Sequence, residues 1–151
     1  MKKTLLTTAL VAIAGGGVAF WMLSAPTSLE AGALGALEAP DAARGEQVFW
    51  AGGCASCHAR PGADGDARLE LAGGVELKSD FGTFVAPNIS PHPEDGIGGW
   101  SDMDFANAML HGVSPEGEHY YPAFPYPSYA RMTGQDVSDL FAFLKTLPEV
   151  E

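Results

Sequence analysis

Residues 50–62 read WAGGCASCHARPG and hold the only two cysteines of the 151-residue chain, Cys54 and Cys57, with His58 directly after the second. Two thiols three residues apart lie on one face of a helical turn. They suit a redox dithiol, half of a zinc site, or two covalent anchors along one edge of a flat ligand. A thioredoxin-type dithiol needs a strand–helix setting, and the chain shows no βαβ pattern. A tetrahedral zinc site needs two more ligands at fixed spacing. His92, His111 and His119 are scattered, and no second cysteine pair exists. A disulfide across so short a span is strained. C-x-x-C-H is also the attachment signature of c-type haem. The two sulfurs reach the two vinyl groups, and the next imidazole swings under the iron as proximal ligand. Pro61-Gly62 then breaks the turn, and a single motif implies one covalent haem.

The N-terminus bears on the compartment. After Lys2 and Lys3, the run from Leu5 to Leu23 is uncharged over 19 residues. At about 1.5 Å per residue, such a helix nearly spans a hydrocarbon core of about 30 Å. The lysines would stay on the cytoplasmic side. The rest would face the periplasm from a bacterial inner membrane. A cleaved signal peptide is the competing reading. The run is long for one, and the small-x-small triplet Ala31-Gly32-Ala33 is distant from it. Both readings export the domain. Residues 1–24 are thus read as anchor or signal and 25–40 as a tether rich in Ala, Gly and Pro, whose leucines could instead make a short helix. Residues 41–151 form the compact domain.

Setting aside Lys2, Lys3, Glu30 and Glu38, residues 41–151 hold 17 acidic and six basic side chains, a charge of −11. Nucleic acid is a poor partner for such a surface. A protein with a basic docking patch is a good one, although acidity also serves plain solubility. Three helices are legible. Asp41 is an N-cap for AARGEQVFWA. Ser101 and Asp104 form a capping box for SDMDFANAMLHG, with Phe105, Met109 and Leu110 on one stripe. Thr133 caps TGQDVSDLFAFLKTLP, and Val137, Leu140, Phe141 and Leu144 line one face. LELAGGVEL alternates around Gly73-Gly74 and reads as a small hairpin. Residues 81–99 form a long loop rich in Pro and Gly.

The second axial position decides the iron chemistry. Methionine there favours electron transfer, whereas an open position favours small ligands. Met103 and Met109 lie within the middle helix, where methionine commonly fills core space. Met132 precedes the last helix, where a loop can cross the haem, and is the expected ligand; His119 is the strongest of the histidine alternatives. The aromatic run Tyr120–Tyr129, with Tyr121, Phe124 and Tyr126, is expected to wall the haem pocket and exclude water. Asn88, Trp100 and Arg131 are candidate propionate partners.

These residues resemble a class I c-type cytochrome. More narrowly, GEQVFWAGGCASCHA, LAGGVELKSDFGTFVAPNIS, GIGGWSDMDFANAML and YYPAFPYPSY are similar to the haem domains of cytochrome c subunits of bacterial membrane alcohol and gluconate dehydrogenases. The resemblance implies an all-α, class I cytochrome c-like domain with long loops around one covalent haem, following the N-terminal transmembrane helix. It implies crossing first and last helices, with Gly45 and Phe49 meeting Phe141 and Leu144, and His58/methionine ligation. Two departures stand out. Those subunits carry three haem domains and this chain has one motif. Some relatives also have methionine at the position of Phe124, which cannot bind iron. The expected role is an electron carrier, not an enzyme, or an electron-transfer subunit of a dehydrogenase complex. Its partners would be redox proteins and the membrane, with neither nucleic acid nor a small-molecule substrate. A haem enzyme or gas sensor with an open sixth position is the alternative.

Overall fold

The computed structural model describes residues 2–30 and 32–151. Ala31, in the small-x-small triplet, lies outside them. Helix α1, Lys2–Ser24, is long and apolar enough to cross a membrane, and its membrane-length stretch is not buried against the protein.

Side-chain caps start the three longer helices of the domain. Helix α2, Ala42–Gly52, begins where the Asp41 carboxylate accepts from the N–H groups of Ala43 and Arg44. It ends at Gly53, whose φ of 72° is left-handed and whose N–H closes on Phe49 and Trp50. Helix α3, Cys54–His58, starts at that same glycine. Helix α4, Asp102–His111, has the reciprocal Ser101/Asp104 box and a left-handed Gly112 stop. A short turn α5, Tyr126–Tyr129, precedes helix α6, Gly134–Leu144, which carries the Thr133/Asp136 box.

Helices α2 and α6 make the largest helix–helix contact. Gly45 sits against the Asp139 backbone and the Phe143 Cβ, leaving no room for a side chain. The Phe49 ring lies 5.2 Å from that of Phe143. The crossing thus brings in Phe143, which the sequence reading did not name beside Phe141 and Leu144; all three share one core cluster with Phe49. Phe141 also stacks on Phe105 of α4 at 4.5 Å, and Leu144 lines the cavity described below. Helix α6 is buried on several sides, so its apolar periodicity does not say which residue meets which neighbour.

The hairpin lies further along the chain than expected. Strands β1, Glu76–Ser79, and β2, Gly82–Val85, pair antiparallel with Ser79 opposite Gly82. The turn is Asp80-Phe81, not Gly73-Gly74. Those two glycines have φ of 75° and 97°, but they serve a close backbone approach. The Gly73 N–H donates to His58 O at 2.7 Å, and a Cβ on Gly73 would meet Ala86 and Pro87.

The segment read as a tether lies along the domain. Leu29 and Leu34 pack on the core. The Leu29 N–H donates to Asn107 at 2.6 Å, and the Glu38 N–H donates to Gln135 at 2.8 Å. His111 Nδ1 donates to Thr27 O at 2.7 Å, and His119 Nε2 donates to Ser24 O at 2.9 Å.

Candidate functional site

Because Gly53 ends α2 and begins α3, the two cysteines and the histidine occupy one short turn. Cys54, Cys57 and His58 all line a cavity of about 500 Å³. Both thiols are free and half-buried. Burial pushes the Cys54 thiol up to about 11, with the neighbouring Cys57 adding to the rise. A thiol so held is a poor redox nucleophile. Among the described residues, no three His, Cys, Asp or Glu side chains converge as a metal site. These two facts weigh against the dithiol and zinc readings.

His58 is fixed at both ends. Its backbone carbonyl accepts from Gly73, and its Nδ1 lies 2.9 Å from Pro87 O. A carbonyl only accepts, so Nδ1 carries the proton and Nε2 keeps a free lone pair. Burial lowers the imidazole pKa, and the Pro87 contact opposes this in part. The ring is thus held neutral with one nitrogen available, the form a metal requires.

The rest of the cavity is mainly carbon. Ile97 comes from the long loop, Trp100 from just before the α4 cap, Phe105 and Met109 from α4, and Leu140 and Leu144 from α6. Leu77 and Phe84 of the hairpin and Tyr120, Tyr121, Phe124 and Tyr129 of the aromatic run complete it. Phe84 stacks on Tyr121 at 4.2 Å and 13°, joining hairpin to aromatic run. The Tyr129 hydroxyl donates to Gly52 O at 2.8 Å, tying that run to the cysteine turn. Burial pushes the Tyr120 phenol up to about 12, so it stays protonated. A flat apolar cofactor with two covalent anchors and one imidazole fits this enclosure, whose volume is typical of small-molecule sites.

Of the residues singled out in the sequence, Cys54, Cys57, His58, Asn88, Trp100, Tyr121 and Phe124 are in the wall. Asn88 is already engaged, donating to Val150 O at 2.6 Å and accepting from Ser90 N–H. Tyr126, Arg131 and Met132 are not wall residues. Tyr126 faces Gly112, and Arg131 is exposed. Met132 is half-buried against the core, and its N–H donates to Tyr129 O at 2.9 Å. His119 also lies outside the wall, bonded to Ser24 O where the N-terminal segment straps across the domain. Leu77 and Phe84 were missed because the hairpin was placed too early. Pro87 was missed because a backbone acceptor leaves no mark in side-chain chemistry.

Comparison with known proteins agrees with this geometry. The family model for cytochrome c matches residues 42–148. The chain is 52% identical over 151 residues to the "Diheme cytochrome c-type" protein of Cereibacter sphaeroides, covering 98% of this chain and 49% of that protein. It is 38% identical over 128 residues to the alcohol dehydrogenase (quinone), cytochrome c subunit of Gluconobacter oxydans, covering 82% of this chain and 26% of the subunit. It is 40% identical over 100 residues to the gluconate 2-dehydrogenase cytochrome c subunit of Pantoea cypripedii, covering 66% of this chain and 22% of the subunit. The chain thus spans half or less of each of these relatives. With the cysteine turn, the oriented histidine and the apolar enclosure inside the matched span, the chain belongs to the cytochrome c family.

Proposed function

We propose that the chain is a membrane-tethered carrier of single electrons with one covalent haem, its domain in the periplasm and α1 in the bacterial inner membrane. It takes electrons from a dehydrogenase or quinol oxidoreductase and passes them to a terminal oxidase or a soluble carrier. The observation that carries this reading is His58, oriented by its Nδ1–H bond to Pro87 O with Nε2 free, beside two thiols on the wall of one apolar cavity. Haem bound there supplies the one-electron change of its iron. The chain's residues do the rest. Cys54 and Cys57 anchor the porphyrin, and His58 ligates through Nε2. The aromatic run and α4 exclude water, which disfavours the more highly charged ferric state. The dehydrogenase cytochrome subunits among its relatives support a redox-protein partner.

The test is the full-length protein matured with haem. Haem should stay on the polypeptide through denaturing electrophoresis. The spectrum of the reduced protein should change little on adding carbon monoxide. Rapid and complete carbon monoxide binding would instead place the chain among haem proteins with an open iron.

A further inference from the structure

We infer that Met109, not Met132, supplies the second axial ligand of the haem iron. The inference rests on the reading of the cavity as a haem site. Residues 41–151 contain three methionines, Met103, Met109 and Met132, and of these only Met109 is a wall residue of the cavity that holds His58.

Met132 has another task. It immediately precedes the Thr133 N-cap, the position from which an apolar side chain can reach the fourth helical residue, and it packs against the core cluster that contains the buried Val137. Its N–H is bonded to Tyr129 O. To enter the cavity it would have to leave the core and disturb the start of α6.

The aromatic run offers carbon in its place. Phe124 and Tyr129 occupy the wall there, and neither donates to iron as a soft ligand. The histidines are committed elsewhere. His92 Nδ1 accepts from the Glu94 and Asp95 N–H groups at 3.3 and 3.0 Å. His111 and His119 hold the strap.

Met109 is placed by a rigid helix. Helix α4 is capped at both ends and pinned to α6 by the Phe105–Phe141 stack. The residue is 6% exposed and belongs to the hydrophobic core cluster. A thioether on an unbranched, rotatable stem can turn toward a metal without backbone movement.

The experiment uses the haem-loaded, full-length protein with Met109→Leu and Met132→Leu. The ferric wild type should show the weak long-wavelength band of sulfur-to-iron charge transfer. Met109→Leu should lose that band, lower the reduction potential and admit carbon monoxide to the reduced iron. Met132→Leu should keep the band and the potential and lose only thermal stability. Loss of the band in Met132→Leu with retention in Met109→Leu would overturn the assignment. So would a wild type with covalent haem but no such band. A wild type without covalent haem would remove the haem reading and this inference together. If Met109→Leu does not accumulate, proton NMR of the reduced wild type decides. The strongly upfield methyl of the ligating methionine should connect to α4, and a connection to residue 132 would refute the inference.

Discussion

Asp139 is buried in the α2–α6 contact, 2% exposed, yet keeps its charge. Its carboxylate accepts from Arg44 Nε at 2.7 Å, from Gln135 at 2.9 Å and from the Asp41 N–H at 2.8 Å. These bonds, that of Arg44 foremost, hold its pKa down at about 2 against an ordinary 3.8. The folded state therefore binds this proton less readily than the unfolded chain does. Its stabilisation is complete above the unfolded value and is lost as pH falls from about 4 toward 2. Asp139→Asn should cost about 1.5–3 kcal/mol at neutral pH, the range for hydrogen bonds to charged groups. It should also flatten the acid limb of a denaturation series. An unchanged acid limb would show that another carboxylate governs acid stability. Asp139 is a residue that sequence reading passed over, because a helical aspartate looks like surface until α2 is laid across it. Met132 presents the converse case. Its residue type suits an iron ligand, yet it stands outside the cavity wall, half-buried against the core just before the Thr133 cap.

The α2–α6 crossing depends on the missing side chain of Gly45. Gly45→Ala would force the helices apart, because the new methyl meets the Asp139 backbone, which cannot turn away as a side chain can. Overpacking of this kind costs roughly 1–3 kcal/mol, with backbone contacts at the upper end. The denaturant midpoint should fall with the slope unchanged. A midpoint equal to wild type would show that the helices separate freely. At this scale the helices were legible in sequence because their signals are local: Asp41, Ser101 with Asp104, and Thr133 with Asp136 lie within one turn of the groups they satisfy. The hairpin was not, because Gly73-Gly74 has the composition of a turn but answers to Ala86 and Pro87, more than ten residues away. The docked strap was hidden for the same reason. Its bonds to Asn107, His111 and His119 join segments far apart in sequence.

Over the whole molecule, the strap and the charge act on the same encounter. Ser24, at the end of α1, accepts a bond from His119, the residue just before the aromatic run, so the end of the apolar helix is tied to the domain. If α1 lies in a bilayer as proposed, such a domain would meet its partner in a restricted set of orientations, and steering by charge would select among them. Residues 41–151 carry −11, and the exposed pair Glu94 and Asp95 stands beside the cavity, with Asp95 in its wall. A partner with a basic patch should be drawn to that side. Charges are screened beyond about 8 Å at physiological salt. The bimolecular electron-transfer rate with the native partner should therefore rise as ionic strength is lowered, by about tenfold or more if steering is effective. Glu94→Gln combined with Asp95→Asn should reduce that slope while leaving the haem spectrum as in wild type, because neither side chain binds iron. Rates independent of salt would show that association proceeds through apolar contact alone. A salt dependence unchanged in the double variant would place the docking surface on another acidic face.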